Sequence, residues 1–234
     1  MATILTEAEA KALLTKVLSY SKADECEVNL SGEKRGNIRY ARNEVSTSGA
    51  KANQNLGVQS SFGKKVGTAT IDEFDDASLE KVVRRAEELA RLAPENPEYV
   101  SILGPQTYLK SNGYFASTAN ITPDVRAEAV AKSLELTRAA NLIAAGFMED
   151  YHGYQAMMNS KGLFAYYPDT NVNFSLTVRT EDGKGSGYVI KGFSDVEQLD
   201  TAAATRIAMQ KASASASAKA LEPGKYTVIL EPTA

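Results

Sequence analysis

The sequence predicts an α+β fold of two duplicated helix, β-meander, helix units, with four main helices and a mixed or antiparallel sheet. Alternating apolar residues predict the strands, and apolar residues three and four apart behind capping residues predict the helices. This order of elements occurs twice along the 234 residues. Because 43% of the residues are hydrophobic, the chain can bury a sizeable core and is expected to fold.

Helix signals occur at four places. The expected N-caps are Thr6 with Glu9 as a capping box, Asp75 or Asp76, Thr122 ahead of Pro123, and Ser194 with Glu197 as a second capping box. Each cap is followed by apolar residues at helical spacing, which predict the core-facing side of the helix. For the last two helices these residues are Val125, Val130 and Leu134, and then Val196, Leu199, Ala203 and Ile207.

Strand signals lie between the helices. Alternation predicts strands at 26–30 and 38–42, whereas the polar segment 43–55 fits either a strand edge or a loop. A hairpin with its turn at 63–65 follows. Prolines, glycines and aromatic residues at 94–121 predict a connector that packs against the fold. A final strand is predicted from the alternation of Tyr226, Val228 and Leu230.

The two units align when 116 is added to the residue numbers of the first. The matching pairs are Thr6 and Thr122, Asn43 and Asn159, Leu56 and Val172, and Val58 and Phe174. A longer hairpin turn at 181–183 then raises the offset to 119. We therefore predict an internal repeat of approximately residues 6–93 and 122–220, within a single domain at 1–221.

Composition argues against several classes of partner. The net charge is −3, with 26 Lys and Arg against 29 Asp and Glu, so no electrostatic feature favours nucleic acid. No apolar run approaches the roughly 18 residues of a membrane helix, and the first five residues are too short for a secretory signal. The single cysteine, Cys26, cannot form an intrachain disulfide, in agreement with a reducing compartment. A cytoplasmic location, without nucleic acid or membrane partners, is expected.

Residues capable of catalysis are few. Zinc hydrolysis needs about three protein ligands and a general base, and His152 is the only histidine. With acidic and aromatic neighbours, His152 can join a metal or acid–base site, but a structural position at a strand end or hairpin is the favoured interpretation. Cys26 has acidic neighbours and lies on the apolar face of a predicted strand, so we expect a buried core residue and not a nucleophile.

Three further features have a structural and a functional interpretation. Residues 183–187 (Gly-Lys-Gly-Ser-Gly) resemble a phosphate loop, but they lie between two strands and therefore predict a hairpin tip. The aromatic residues at 164–167 can form a ligand platform, although strand packing is favoured. The acidic pairs at 75–76 and 149–150 are expected at a helix cap and a turn. No residue is assigned as catalytic, metal-binding or cofactor-binding, and peptide-binding residues are not identified.

Several segments together resemble the TldD/PmbA family, whose members have been described as modulators of DNA gyrase and are metallopeptidase-like. The similar segments are Asn37–Asn43, the hairpin at 57–69, the helix at 79–92, Asn159–Gly162 and the closing segment at 224–232. The similarity spans essentially the whole chain, and it lies in the order and spacing of these segments more than in any one of them.

The resemblance implies an amino-terminal α/β domain followed by a β-rich carboxy-terminal domain. Residues 222–234 would then be the start of that second domain, and the chain a truncated one. In TldD-type members a zinc-binding His-Glu-x-x-x-His helix follows a segment like 224–232, whereas PmbA-type members lack this motif. No family metal ligand can be placed on this chain, so zinc is expected in the carboxy-terminal domain of TldD-type members alone.

The resemblance also implies partners and alternative functions. Family members form homodimers, or heterodimers with a TldD/PmbA paralogue, that enclose a chamber for unfolded peptides in peptide maturation and proteolysis. We therefore expect a domain that contributes scaffold and chamber wall, but not the metal site. The alternative is a non-catalytic PmbA-type subunit that stabilises a catalytic TldD-type paralogue. A third possibility, an unrelated binding module, would require the gene to end near Ala234.

Overall fold

A computed structural model describes residues 4–230 and contains, within them, one open antiparallel sheet and five helices. The strands are β1 (Glu25–Ala41), β2 (Glu44–Phe62), β3 (Lys65–Ile71), β4 (Leu142–Asn159), β5 (Phe164–Thr180) and β6 (Ser186–Phe193). The helices are α1 (Glu7–Ser19), α2 (Asp76–Leu92), α3 (Ala116–Ala119), α4 (Pro123–Ala139) and α5 (Thr201–Ser215), with a 3₁₀ turn at Val196–Gln198. The strand order is β3-β2-β1-β4-β5-β6. The predicted α+β class with duplicated helix, meander, helix order is confirmed.

Side-chain caps begin the long helices. At α1 the Glu9 N–H donates to the Thr6 hydroxyl at 3.3 Å, and the Glu9 carboxylate accepts the Thr6 N–H at 2.8 Å. This reciprocal pair is the predicted capping box. Asp75, and not Asp76, caps α2, while Thr122 caps α4 as predicted. These starts were predictable because a cap satisfies backbone donors within three residues of itself.

The predicted start of the fourth long helix is wrong. Asp195, and not Ser194, accepts the Glu197 N–H, and it caps only the short 3₁₀ turn. Leu199 then has an extended backbone, with φ −88° and ψ 103°, which interrupts the helix. Asp200 caps a new start, and α5 begins one residue later. The capping signal in the sequence therefore marks the 3₁₀ turn and not the start of α5. Asp195 and Asp200 both accept backbone N–H bonds within six residues, and it is Asp200 that begins the helix.

The buried face of α5 is one residue further along than predicted. Its buried side chains are Thr201, Ala204, Thr205, Ala208 and Ala212. Ile207 is 40% exposed, and Val125 of α4, also predicted in the core, is 42% exposed. Small residues are required on this face because α5 approaches β6 closely: a Cβ on Gly187 would lie 2.0 Å from the Ala208 carbonyl oxygen. Apolar periodicity emphasises large side chains and therefore indicated the wrong face.

The strands are longer than predicted. The segments 26–30 and 38–42 belong almost entirely to one strand, β1, and most of the polar segment 43–55 is strand, in β2. Arg42 and Asn43 form the turn between them, both with positive φ (52° and 61°). Asn adopts this conformation more readily than most residues. The match between Asn43 and Asn159 in the two repeats therefore predicted a turn at Asn43.

The outer strands pair with only part of their neighbours. β3 pairs with residues 56–62 of β2, which confirms the predicted hairpin; its turn consists of Gly63 and Lys64, because Lys65 already pairs with Phe62. β6 pairs with residues 172–179 of β5. Because β2 and β5 are much longer than these paired stretches, their remaining lengths extend beyond the outer strands.

The described residues divide into two compact units, and each unit takes segments from both repeats. Unit 1 contains residues 4–34, 51–114 and 152–169, and unit 2 contains residues 35–50, 115–151 and 170–230. The core of unit 1 is closed by α1 and α2, whereas α4 and α5 supply the core of unit 2. Cys26 is 1% exposed within the core of unit 1, as predicted, and burial raises the pKa of its thiol.

The predicted final strand does not form within the described residues. The segment 216–230 has no helix or strand, and Tyr226, Val228 and Leu230 are 54%, 68% and 70% exposed. Glu231 and Pro232, which belong to the closing segment of the family resemblance, lie outside the described residues. A carboxy-terminal domain beginning at 222–234 stays a prediction.

Candidate functional site

A cleft lies in unit 1 between the sheet and the connector, here residues 93–115. Residues 108–111 of the connector face 155–157 of β4 and 165–168 of β5 across a space of about 550 Å³. The side chains that characterise this connector cleft are Asn29, Tyr108, Leu109, Gln155, Met157 and Tyr167. A volume of this size, with mixed apolar and polar walls, is typical of sites that bind small molecules or short peptide segments.

Glu25, the first residue of β1, holds the first half of the connector in unit 1. Its carboxylate accepts the Ile102 N–H at 3.1 Å and the hydroxyls of Tyr99 and Ser101, and it pairs with Lys161 at 2.6 Å. Burial favours the neutral acid, but these four donors outweigh it and lower the pKa of Glu25 to about 2. The carboxylate is therefore charged at neutral pH and acts as a clamp for the connector.

Replacing Glu25 with Gln is expected to remove a pH-dependent part of the stability. Because the pKa of Glu25 is about 2 in the folded chain against 4.5 for a free carboxyl, its contribution is complete above about pH 4.5. The contribution is lost as the pH falls towards 2. We expect the variant to unfold about 1–3 kcal/mol more easily near neutral pH, with a smaller difference in acid. Urea unfolding across this pH range measures both effects.

Glu27→Gln is the matched control for this prediction. Glu27 lies two residues along the same strand, and its carboxylate accepts a hydrogen bond from the Asn29 side chain at 3.0 Å. Its replacement should change the stability by less than about 1 kcal/mol at every pH. The difference in the free energy of unfolding between the wild type and Glu25→Gln should shrink as the pH falls. A difference that stays constant from neutral to acidic pH would contradict the role of Glu25 as a clamp.

Further contacts in unit 1 hold the rest of the connector. The Asn159 amide donates to the Leu103 carbonyl at 2.9 Å. Near the other end, a Cβ on Gly113 would lie 2.3 Å from the Tyr167 hydroxyl, so the chain passes close over this ring. The predicted packing of the connector is thus correct at its two ends, whereas Leu109 in its middle is 97% exposed.

His152 is placed differently from the prediction. It lies within β4 and not at a strand end or hairpin, and it is half-buried. Its ring contacts Tyr114, with the centroids 5.4 Å apart and the planes at 56°. Burial, aided by the positive charge of Lys34, lowers the pKa of His152, so the imidazole is neutral at neutral pH. This position gives His152 a packing role beside the connector.

Residues 4–230 contain neither a cluster of metal ligands nor a membrane-spanning helix. No three His, Cys, Asp or Glu side chains in this part of the chain converge in a way that could hold a metal ion. None of the helices described here has both the length and the apolar character needed to cross a membrane.

The glycine-rich segment, the aromatic segment and the second acidic pair each have a defined place in the structure. Residues 183–185 lie in the hairpin turn between β5 and β6, as predicted, whereas Ser186 and Gly187 already pair with β5 as the start of β6. In the aromatic segment, Tyr166 packs against Tyr154 with ring centroids 5.8 Å apart, and both Tyr166 and Tyr167 line the cleft. The favoured packing interpretation is therefore correct for Tyr166, and a ligand platform stays a prediction. The acidic pair at 149–150 lies within β4 and not in the predicted turn.

Unit 2 contains a buried ion pair that was not predicted from the sequence. Arg126 of α4 is 4% exposed and donates to the Asp150 carboxylate of β4 at 2.6 Å. Burial raises the pKa of Asp150, although the guanidinium acts in the opposite direction. Gly36 makes room for this pair, because a Cβ there would lie 2.1 Å from an Arg126 nitrogen. Arg126 is four residues before the buried Val130, so both side chains lie on the same face of α4. This spacing was the signal in the sequence that Arg126 is buried.

Two family models match the chain. One is described as PmbA/TldA metallopeptidase domain 1 and matches residues 26–90, and the other, the PmbA/TldA metallopeptidase central domain, matches residues 72–216. The chain belongs to the TldD/PmbA family. The resemblance drawn from the sequence is confirmed. No curated protein matches this TldD/PmbA chain.

Solved structures of similar fold come from several microorganisms. TldE from Thermococcus kodakarensis has a TM-score of 0.78 at 18% identity, over 87% of this chain and 47% of that one. A candidate modulator of a DNA gyrase from Thermotoga maritima has a TM-score of 0.82 at 14% identity, over 92% and 50%. A candidate modulator from Bacteroides thetaiotaomicron has a TM-score of 0.75 at 16% identity, over 89% and 50%. The chain spans about half the length of these proteins.

Proposed function

We propose that this chain is the amino-terminal part of a longer peptide-processing protein, to which it contributes scaffold and part of a peptide-binding wall. The observation that carries this proposal is the match to two metallopeptidase domains across residues 26–216. The metal site is assigned to a further domain, since residues 4–230 offer no cluster of ligands. The protein would act in the cytoplasm, as a homodimer or with a TldD/PmbA paralogue.

The connector cleft is the part of the wall proposed to contact the peptide. Tyr108 and Tyr167 expose 53% and 42% of their surface there, and Met157 also lines the cleft. Tyrosine offers a large apolar ring and a hydroxyl at low entropic cost, and methionine adapts to different shapes. A cleft of about 550 Å³ suits a few side chains of an extended peptide and excludes a folded domain.

Tyr167→Ala in the full-length protein tests this assignment. We expect it to weaken the binding of a fluorescent, unstructured peptide about five- to thirtyfold, because loss of a central interface aromatic costs about 1–2 kcal/mol. Fluorescence anisotropy measures the affinity. Tyr188→Ala is the matched control, since Tyr188 is 47% exposed on β6 of unit 2 and does not line the connector cleft. Equal affinities of the wild type and Tyr167→Ala would remove the cleft from the proposal.

The alternative function is a non-catalytic PmbA-type subunit that stabilises a catalytic paralogue. Peptide hydrolysis by the full-length protein alone supports the first function, whereas hydrolysis only after addition of the paralogue supports the second. Neither hydrolysis nor peptide binding in either mixture would contradict both. Robust hydrolysis by the 234-residue chain itself, lost in His152→Ala, would show that the metal site had been assigned to the wrong part of the protein.

A further inference from the structure

The middle of the connector crosses the connector cleft without being fixed to the sheet. Residues 105–112, here called the strap, are all exposed and contain no helix or strand. In the described part of the chain the strap makes one hydrogen bond, from the Gln106 side chain to the Gly104 carbonyl at 3.1 Å. Its backbone groups are therefore solvated, which is typical of a segment that moves at little cost in free energy.

Both ends of the strap are held within unit 1. Just before the strap, the Asn159 amide donates to the Leu103 carbonyl at 2.9 Å. Just after it, Gly113 passes close over the Tyr167 ring, since a Cβ on this glycine would lie 2.3 Å from the tyrosine hydroxyl. The strap is therefore a segment with two fixed ends and a free middle.

The strap is longer than the distance that it crosses. Its first residue, Pro105, lies 3.7 Å from the Cβ position of Gly162, and the residue after it, Gly113, lies over Tyr167. Gly162 and Tyr167 are five residues apart in the sequence, so their Cα atoms are separated by at most about 18 Å. Residues 105–113 can span about 26 Å when extended. The middle of the strap can therefore move towards the sheet while both ends stay in place.

The strap carries a large apolar side chain beside an apolar wall. Leu109 is 97% exposed, although it belongs to the stretch 108–111 that lines the cleft. The opposite wall includes Met157, Tyr167 and Pro168. A large apolar side chain placed in the cleft would remove both Leu109 and this wall from water, and such burial is favourable.

The lining of the cleft indicates the kind of side chain that fits there. Of the residues that line it in the described chain, Lys110 alone carries a charge, and none is acidic. The others are aromatic, aliphatic or uncharged polar residues. An apolar side chain makes favourable contacts with such walls, whereas a charged one would lose hydration without gaining an ion pair from most of them. The cleft therefore suits a peptide that inserts a large apolar side chain.

We propose that the strap closes over a peptide bound in the connector cleft, and that Leu109 then packs on a large apolar side chain of this peptide. The substrate class is accordingly unstructured peptides with a large apolar side chain such as phenylalanine. This inference rests on the proposed function, because it takes a peptide as the occupant of the cleft. It adds that the cleft is completed only when the peptide binds, so release of the peptide requires the strap to open.

Leu109→Cys in the full-length protein tests the closure of the strap. Alkylation of the new thiol by iodoacetamide is followed by mass spectrometry, with and without a fluorescent Gly/Ser peptide that contains one phenylalanine. Saturation with this peptide should slow the reaction at least about tenfold, because the closed strap buries the thiol. Leu92→Cys is the matched control, since Leu92 is 75% exposed at the end of α2 in unit 1 and does not line the cleft. Its reaction rate should not change.

Leu109→Ala tests the apolar contact itself. The affinity for the phenylalanine peptide, measured by fluorescence anisotropy, should fall about three- to tenfold. The same peptide with serine in place of phenylalanine should bind the wild type and the variant equally. Because Leu109 is exposed in the free chain, the variant should keep the thermal stability of the wild type. Leu92→Ala should bind both peptides as the wild type does.

Three results would overturn the inference. Binding of the phenylalanine peptide without slower alkylation of Leu109→Cys would show that the strap stays open, and it would leave the proposed function intact. Slow alkylation in the absence of peptide would show that another part of the full-length protein covers Leu109. Failure of both peptides to bind the wild type would overturn the proposed function together with this inference.

Discussion

Arg126→Ala is expected to lower the free energy of unfolding by about 3–5 kcal/mol. The substitution removes the guanidinium that lies 2.6 Å from the Asp150 carboxylate and leaves a carboxylate that is only 8% exposed without this partner. The loss should be smaller in acid, because a protonated Asp150 carries no charge. Urea unfolding near neutral pH, followed by circular dichroism, measures the change.

The double variant Arg126→Met with Asp150→Leu separates the charge from the packing. Both side chains are then apolar and similar in size, and replacement of a whole buried ion pair is often neutral or stabilising. We expect the double variant to be at least about 2 kcal/mol more stable than Arg126→Ala. A loss below about 1 kcal/mol for Arg126→Ala would mean that water reaches Asp150 and that the pair is not a buried one.

Gly67→Ala is expected to destabilise the protein by about 2–4 kcal/mol. Gly67 lies in β3, and a Cβ there would be 2.2 Å from the Ala90 nitrogen and 2.4 Å from the Ala86 carbonyl oxygen of α2. The clash is with the helix backbone, so neither side can yield by a change of rotamer. Thermal or urea unfolding of the purified variant gives the effect. Gly187→Ala, which meets α5 in the same way, should behave alike.

Gly57→Ala is the control for the glycine prediction. Gly57 lies in β2, and its new Cβ would make an ordinary contact of 3.7 Å with Thr70 of the paired strand β3. Alanine is favoured over glycine in a strand by roughly 0.5–1 kcal/mol, so this variant should be as stable as the wild type or slightly more. Equal losses for Gly57→Ala and Gly67→Ala would show that α2 does not lie against β3 as closely as described.

The parts of the fold that were predicted correctly depend on neighbours in sequence. The Thr6 capping box, the Thr122 cap and the hairpin at 63–65 each satisfy their hydrogen bonds within a few residues. The internal repeat matched Val58 with Phe174, and both side chains are buried, because equivalent strand positions face the same side of the sheet. Comparison of the two repeats added the common order of elements, since equivalent positions carry similar side chains.

The candidate site was not predictable because its parts are distant in sequence. Nothing local connects Glu25 with Ile102, and no local pattern shows that the connector lies over Tyr166 and Tyr167. The prediction of the buried face of α5 was wrong for a related reason. The close approach of a helix to Gly187 selects small side chains, and this requirement lies on a different element.

The sequence by itself determined the α+β class, the repeated order of elements, most helix starts and the membership of a peptidase-related family. These follow from the period of apolar residues, from capping and from the order of short motifs, all of which are local. Only the tertiary structure decided which stretches of β2 and β5 stay without an outer strand, and how Glu25 and Arg126 find their partners. Pairing between distant segments depends on the whole sheet, and no local pattern encodes it.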